Sequence, residues 1–312
     1  MQFCVYQESR IGGREVNQDR MGYSFTRDAL LLVLADGMGG HPRGEVAAQV
    51  ALQTISALFQ QQATPTVKGP ERFLHDACMA AHQEIHRHTA QHGMPDTPRT
   101  TIVVCLIQHN TATWAHCGDS RLYWLRDGRM LARTRDHSHV ENLIEKGKVP
   151  ESARATHQER NKLYNCLGAA MAPRVDVSPP ASLHSGDTML LCSDGLWAVL
   201  DEQDIVDTLS TRAVVRAVPE LLQAALRRGG VAGDNATGLA ITWHGGAIAS
   251  AGDVPTEVMT TPSLISTDAL PQDLHGSTIT PGTGFDPFDE EEIEKAIAEI
   301  RGAIEKSSRL LR

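Results

Sequence analysis

The order of strand-like and helical runs most constrains the fold of this chain. Apolar, β-branched runs predict strands at residues 3–7, 30–35, 101–107, 113–117, 121–126, 129–134, 188–192 and 238–243. Helical periodicity predicts helices at residues 44–61, 71–92, 140–146, 202–209 and 212–228. Asp127-Gly128 separates two strand-like runs and favours a two-residue hairpin turn. Hairpin-joined strands indicate antiparallel sheets, and helices in consecutive pairs argue against a doubly wound parallel sheet, so we expect an α+β fold.

The composition changes sharply near residue 244, which divides the chain into three predicted parts. Residues 1–244 carry continuous apolar periodicity and are expected to form one catalytic domain. Residues 245–288 are about half Gly, Ser, Thr and Pro, contain no Lys or Arg, and are expected to be a flexible linker. Residues 289–312 regain helical periodicity, with Ile293, Ile297, Ile300, Ile304 and Leu311 along one seam. This amphipathic helix is predicted to mediate docking or self-association, with packing on its own catalytic domain as the alternative.

Charge and composition exclude several classes of protein. The formal net charge of −9 argues against nucleic-acid binding, which usually needs a basic face. No apolar run approaches the roughly 20 residues of a membrane helix, and the N-terminus lacks a secretory pattern, so no membrane insertion and a cytoplasmic location are expected. The six cysteines are singly spaced and are interpreted as reduced core residues.

Aspartates occur where the strand-like runs stop. Asp36-Gly37 follows the run 30–35, Asp119 follows the run 113–117, and Asp194-Gly195 follows the run 188–192. Asp234 precedes the last run of the core. A single Asp-Gly pair is usually only a turn, but several carboxylates brought close together need a cation between them. Carboxylate and carbonyl oxygens are the ligands that hard divalent cations prefer.

These aspartates belong to seven short motifs that follow one another in order along most of residues 7–242. The motifs are Arg14-Glu15-Val16-Asn17-Gln18-Asp19, Asp36-Gly37-Met38-Gly39-Gly40, Gly118-Asp119-Ser120-Arg121, Asp136-His137-Ser138, Leu167-Gly168, Ser193-Asp194-Gly195-Leu196 and Asp234-Asn235-Ala236-Thr237. Each motif is weak by itself, whereas the ordered set is specific. The sequence resembles the protein phosphatase 2C family, the metal-dependent serine/threonine phosphatases, in its bacterial form.

The resemblance implies a four-layer α/β/β/α sandwich, with two central antiparallel sheets flanked by helix pairs and the active site at one edge. It implies Mn²⁺ or Mg²⁺ ions held by Asp36, which would bridge two of them, by the Gly37 carbonyl, and by Asp194 and Asp234. A third, weaker ion would lie at Asp119 with Asp194. Asp19 would orient water and Arg14 would bind the substrate phosphate, which makes Arg14, Asp19 and Asp36 the expected catalytic residues.

The implied reaction is hydrolysis of phosphoserine or phosphothreonine in proteins. Two cations about 3.5 to 4 Å apart can share a hydroxide that attacks phosphorus in line, so no phospho-enzyme is needed. The partners implied are phosphorylated proteins and an opposing Ser/Thr kinase. The sequence departs from the animal members of the family at Met38 and Gln18, where they have histidine and glutamate, and has Arg99 where the family usually has glycine.

Other functions are less well supported by the sequence. The histidines at positions 82, 86, 88 and 92 do not form an H-E-x-x-H zinc motif, and a solvated helix face is the simpler interpretation. Cys166 and Cys192 are not followed by a C-x5-R phosphate loop. A pseudophosphatase that binds phosphoproteins without turnover would be missing a metal aspartate, and all of them are present. A scaffolding role for the C-terminal segment is compatible with catalysis.

Overall fold

The structure, a computed structural model, describes residues 1–38, 43–154, 157–159 and 162–245, together with the backbone of 263–266 and 277–279. The chain divides into two units, Met1–Ile279 and Thr280–Arg312, and the second lies outside the described residues. The predicted helix at 289–312 and most of the predicted linker at 245–288 also lie outside them, so the predicted domain division remains a prediction. Among the described residues, no helix combines the length and hydropathy needed to cross a membrane.

Strands account for most of the described core. In chain order they are β1 (Gln2–Arg10), β2 (Asp19–Phe25), β3 (Ala29–Asp36), β4 (Ile102–Gln108), β5 (Thr111–Cys117), β6 (Arg121–Arg126), β7 (Arg129–Arg133), β8 (Asp176–Val177), β9 (Ala181–Ser182), β10 (Thr188–Cys192), β11 (Ala236–Gly245), β12 (Ser263–Ser266) and β13 (Ser277–Ile279). The helices are α1 (Gly44–Gln62), α2 (Pro70–Gln91), α3 (His139–Glu145), α4 (Asp194–Trp197), α5 (Glu202–Thr211) and α6 (Val214–Gly229).

The strands form two antiparallel sheets. One has the order β13-β1-β11-β10-β6-β7, and the other has the order β12-β2-β3-β4-β5-β8, with β9 also paired to β5. The hairpin between β6 and β7 turns at Asp127 and Gly128, whose φ angles of 49° and 74° lie in the left-handed region. Both central residues of a type I′ turn need positive φ, so the Asp-Gly pair forms the turn that its sequence predicts.

Strand β3 explains why its sequence is an uninterrupted apolar run. Leu31 and Val33 pack into the core under α1 and α2, whereas Leu30, Leu32 and Leu34 pack into the core between the two sheets. A third core lies between the other sheet and the helices α5 and α6. The layers are therefore α/β/β/α, and the predicted fold class is confirmed.

Several strands were not predicted from the sequence. Strand β2 contains Gly22 and polar residues among its apolar ones, which hides the alternation expected of a strand. Strands β8 and β9 have two residues each, too few to give a periodic signal. Strands β12 and β13 pair with β2 and β1 inside the stretch 245–288, where the sequence shows no strand pattern.

The segment 140–165 joins a short amphipathic stretch to a long polar run, a pattern that predicts a mobile flap beside the active site. It contains α3, whose N-terminus is capped by the Ser138 hydroxyl accepting from the Glu141 amide at 3.3 Å, and a short 3₁₀ turn at Glu151–Ala153. Arg154 returns to α3 and donates to the Glu141 carboxylate at 2.7 and 3.2 Å. This ion pair connects the middle of the segment to α3. The mobility of the segment remains a prediction.

Candidate active site

The strand register brings the predicted aspartates to one edge of the sandwich. Asp19, the first residue of β2, is paired with Asp36, the last residue of β3. Asp119 follows the end of β5, which lies beside the start of β4. In the other sheet the end of β10 is paired with the start of β11, so Asp194 and Asp234 flank the same pair of strand ends. Five acidic side chains therefore converge although they are distant in sequence.

Glycines allow the backbone segments that carry these aspartates to approach one another closely. A Cβ atom on Gly37 would lie 2.4 Å from the carbonyl carbon of Gly44, at the start of α1. A Cβ atom on Gly195 would lie 2.0 Å from the carbonyl oxygen of Asn235. Real Cβ contacts are not this short, so an alanine at either position would push the neighbouring segments apart. The Asp-Gly pairs at 36–37 and 194–195 are therefore close-packed contacts as well as turns.

Asp19 lies deepest in the cluster, with 2% of its surface exposed. Its Oδ2 atom accepts hydrogen bonds from the Ser193 hydroxyl at 2.7 Å and from the Thr237 hydroxyl at 2.6 Å. Its Oδ1 atom is buried and has no hydrogen-bond partner among the described residues. A buried carboxylate oxygen without a donor is costly, and it indicates that a group outside the chain completes the site.

The electrostatics of the cluster are unfavourable without a cation. Burial, opposed by hydrogen bonds from Thr237 and Ser193, raises the pKa of Asp19 to about 7. Burial and the charge of Asp234 raise the pKa of Asp194 to about 6. Burial raises the pKa of Asp36 well above its usual range, and the charges of Asp19, Asp194, Asp119 and Asp234 raise it further. Carboxyls whose pKa values rise together in this way are relieved by a bound cation.

Arg14 is a cationic side chain at the rim of this cluster. Its Nη2 atom donates to the Asp234 carboxylate at 2.7 Å, and its side chain is 52% exposed. The Asn235 side chain holds the loop that carries Arg14. Asn235 accepts from the Gln18 amide at 2.8 Å and donates to the carbonyls of Ile11 at 2.8 Å and Val16 at 3.2 Å. One buried amide therefore fixes both ends of the arginine loop.

Asp119 is 5% exposed and occupies the turn after β5. Burial and the neighbouring Asp194 and Asp136 raise its pKa well above the usual range, and Arg121 opposes this rise. Arg121 donates from Nε and Nη2 to the Asp136 carboxylate at 2.8 and 2.7 Å. The guanidinium also lies 3.5 Å from the ring centroid of Trp197 at the end of α4. Two of the sequence motifs thus meet in one buried ion pair.

A second group of possible metal ligands, His116, His137 and Asp176, lies beside this turn. The Nδ1 atom of His137 accepts from the Gly118 amide at 3.2 Å and from the Asn165 side chain at 2.6 Å. Asn165 cannot reverse its amide, because both of its ends already pair with the backbone of Arg174. His137 therefore carries its proton on Nε2, facing Asp176 at 3.2 Å, and presents no lone pair there to a metal.

The His137 contacts have a structural meaning instead. The main chain and the side chain of His137 both bond to Gly118, and the His137 carbonyl accepts from the Tyr164 amide. This histidine thus joins the Asp119 turn to the base of the segment 140–165. The sequence motif marked the residue but not this role, because the partners are distant in sequence.

The residues that depart from the family pattern are also at this edge. Met38 donates its amide to the Arg99 carbonyl at 3.0 Å. The Gln18 side-chain amide donates to the Glu45 carboxylate at 3.2 Å, and the main-chain carbonyl of Gln18 accepts from the Gly37 amide at 3.1 Å. Arg99 and Gln18 thus hold the backbone on either side of Gly37. Ser193, Thr237 and Asn235 were quoted in motifs, but sequence alone did not assign them these hydrogen bonds.

Comparison of the sequence with known proteins finds similarity to protein phosphatases. A family model described as protein phosphatase 2C matches residues 6–228. The serine/threonine protein phosphatase PstP of Mycobacterium tuberculosis is 31% identical over 210 residues, which are 67% of this chain and 39% of that protein. The chain thus spans about two fifths of the length of this curated relative.

Solved structures agree with the sequence comparison. The crystal structure of the M. tuberculosis phosphatase PstP/Ppp aligns with a TM-score of 0.68 at 30% identity, covering 78% of this chain and 99% of the solved one. A structure of the PstP catalytic domain in complex with two manganese ions aligns with a TM-score of 0.64 at 29% identity, covering 77% and 99%.

Proposed function

Because the chain belongs to the protein phosphatase 2C family, we propose that it is a metal-dependent protein phosphatase acting on phosphoserine and phosphothreonine. The observation that carries the proposal is the convergence of carboxylates from separate segments of both sheets, whose pKa values are raised by burial and by one another. Within the described residues, the positive charge of Arg14 opposes this rise at Asp194. The Arg14 guanidinium is half-exposed, and the Arg121 guanidinium, which opposes the rise at Asp119, is already paired with Asp136. These two guanidiniums do not offset this much buried negative charge, whereas divalent cations do.

The donor set fits Mn²⁺ or Mg²⁺. We assign Asp36 as the bridging ligand between two ions, with the Gly37 carbonyl, Asp194 and Asp234 completing the protein ligands. Asp119, whose pKa is raised by Asp194, is assigned with Asp194 to a third and weaker ion. Bound there, the two principal ions would supply a shared hydroxide nucleophile at neutral pH and stabilise the developing charge on the phosphoryl group.

The side chains of this chain contribute orientation and charge. Arg14 presents a planar guanidinium at the rim and, while keeping Asp234 in place with one nitrogen, can turn the others to phosphate oxygens. Asp19 is held rigidly by Ser193 and Thr237, which leaves its Oδ1 atom to accept a hydrogen bond from water in the site. In-line attack needs this fixed direction, because misplacement of a nucleophile by about 1 Å can cost a hundredfold in rate.

Hydrolysis of a phosphothreonine peptide, assayed with and without Mn²⁺, tests this function. We expect turnover with Mn²⁺ and Mg²⁺, loss of turnover with a chelator, and its recovery when Mn²⁺ is restored in excess. Phosphate release that persists after complete chelation would contradict the proposed chemistry. Mn²⁺-dependent binding of the phosphopeptide without phosphate release would favour the pseudophosphatase alternative.

The wider role follows from the same proposal. A phosphoserine/phosphothreonine phosphatase acts on proteins that a Ser/Thr kinase has modified, so an opposing kinase is proposed as a functional partner. A cytoplasmic location is proposed because all six cysteines are free and five of them are buried. Reduced, unpaired thiols are typical of that compartment.

Residues 289–312 are proposed to be a docking or self-association helix. A helix with a short apolar seam is marginal in isolation and gains stability by packing on a partner. Deletion of residues 285–312 is expected to leave phosphopeptide turnover nearly unchanged and to alter the oligomeric state measured by size-exclusion chromatography with light scattering. Joint loss of activity and melting temperature would place the helix in the catalytic domain instead.

A further inference from the structure

Large apolar side chains are exposed around the arginine loop. Among the described residues, the exposed large apolar side chains are those of Ile11, Val16, Leu131, Tyr164, Met171 and Val231. Three of these six lie on two loops beside Arg14 and Asp234. They are Ile11, 45% exposed, Val16, 52% exposed, and Val231, 95% exposed, and they are called the apolar rim. Single exposed apolar residues are ordinary, but a group beside a catalytic edge indicates an interaction surface.

A hydrogen bond and close backbone packing connect the two loops that carry the apolar rim. The Gly13 amide donates to the Gly233 carbonyl at 2.9 Å, and a Cβ on Gly13 would lie 2.0 Å from the Val231 carbonyl oxygen. The buried Asn235 side chain binds the carbonyls of Ile11 and Val16, as described above. The backbone at all three rim positions is therefore fixed, whereas the side chains remain in solvent. A fixed backbone reduces the entropy lost when a ligand binds these side chains.

The rim lies within reach of any peptide whose phosphate is held by Arg14. Ile11 and Val16 are three and two residues from Arg14, so their Cα atoms lie at most about 11 Å from that of Arg14. An extended peptide advances about 3.3 Å per residue, so about three residues on each side of the phosphorylated residue span that distance.

We infer that the apolar rim is a specificity surface that binds an aliphatic side chain of the substrate within about three residues of the phosphorylated position. The inference rests on the proposed function and adds a substrate class to it. Arg14 recognises the phosphate whichever protein carries it, and Ile11, Val16 and Val231 select the sequence around it. The rim does not touch the reacting atoms, so it acts through peptide affinity and not through the chemical step.

Paired peptides test this inference. In the first pair, each peptide carries one phosphothreonine, and the two peptides differ only in having Leu or Ser at the three positions after it. In the second pair, the same difference lies at the three positions before the phosphothreonine. With saturating Mn²⁺, we expect wild-type protein to prefer the Leu peptide of at least one pair by about tenfold in kcat/KM, the effect of burying one aliphatic side chain. Val231→Ser and Val16→Ser should each lower this preference about threefold. Leu131→Ser, which changes a 45% exposed side chain on β7, should not change it.

Each result distinguishes the inference from the function on which it rests. Hydrolysis of both members of every pair at equal efficiency would overturn the inference and leave the proposed function standing. Hydrolysis of none of the peptides in Mn²⁺ would remove the proposed function and the inference with it. A change in oligomeric state on Val231→Ser, with an unchanged peptide preference, would make the rim a contact with a second copy and would also overturn the inference.

Discussion

Asp36→Asn is expected to lower turnover of a phosphothreonine peptide more than a hundredfold at saturating Mn²⁺. The substitution keeps the size of the side chain and removes its charge and one anionic ligand oxygen. Changes to residues that only support metal ligands already cost about 10- to 100-fold. Asp36 is assigned to both principal ions, so its loss should exceed that range.

In the absence of metal, Asp36→Asn should raise the thermal stability of the protein although it lowers turnover. Burial raises the pKa of Asp36 well above its usual range, and the surrounding aspartates add to that rise, so the ionised carboxylate destabilises the metal-free fold at neutral pH. We therefore expect Asp36→Asn to melt at a higher temperature than wild type in chelator. Wild type should gain stability as Mn²⁺ is added, and the variant should gain much less. Differential scanning fluorimetry across a Mn²⁺ titration measures both effects.

Two matched variants control for this result. Asp127→Asn changes another Asp-Gly pair, in the exposed β6–β7 turn, and should have wild-type activity and metal response. Arg14→Ala should retain the Mn²⁺-dependent rise in melting temperature while KM for phosphopeptide increases, because the guanidinium is assigned to phosphate and not to metal. An Asp36→Asn protein that keeps more than a tenth of wild-type turnover would contradict the metal assignment of the whole cluster.

Local patterns were sufficient to predict an α+β fold with antiparallel sheets and aspartates at the strand ends, whereas the four-layer arrangement and the position of the site were implied by the family resemblance. The apolar run of β3 and the Asp127-Gly128 turn each act through residues that are neighbours in sequence. Strand β2 was missed because its alternation is broken by Gly22 and polar residues. Its pairing with β3 is what sets Asp19 opposite Asp36.

The hydrogen-bond networks of the site could not be predicted in this way. The Asn235 side chain spans more than 200 positions of sequence to bind the Ile11 and Val16 carbonyls. The proton position on His137 depends on Asn165, which depends in turn on the backbone of Arg174. Such chains of contacts leave no periodic signal, and of these residues only Val16, His137 and Asn235 appear in the motifs.

Removing one partner of the buried pair of Arg121 and Asp136 is expected to cost more stability than breaking any other contact described. Arg121 is 4% exposed and Asp136 is 3% exposed, and their two parallel hydrogen bonds are joined by a third from Arg121 to the Tyr123 hydroxyl at 3.0 Å. Burial alone lowers the pKa of Arg121, whereas Asp136 and Tyr123 raise it, so the guanidinium stays charged. Removing Asp136 would leave that charge buried without a counter-ion.

Asp136→Ala should therefore lower the free energy of unfolding by about 3 to 5 kcal/mol, measured by urea denaturation in chelator. Asp76→Ala removes the partner of Arg72 in an exposed pair on α2 and should change it by less than about 0.5 kcal/mol. The double variant Arg121→Met with Asp136→Leu should recover most of the loss, because an apolar pair of similar volume removes the unpaired charge. If the free energy of unfolding of Asp136→Ala stays within about 1 kcal/mol of wild type, the ion pair does not hold together the two motifs that contain Arg121 and Asp136.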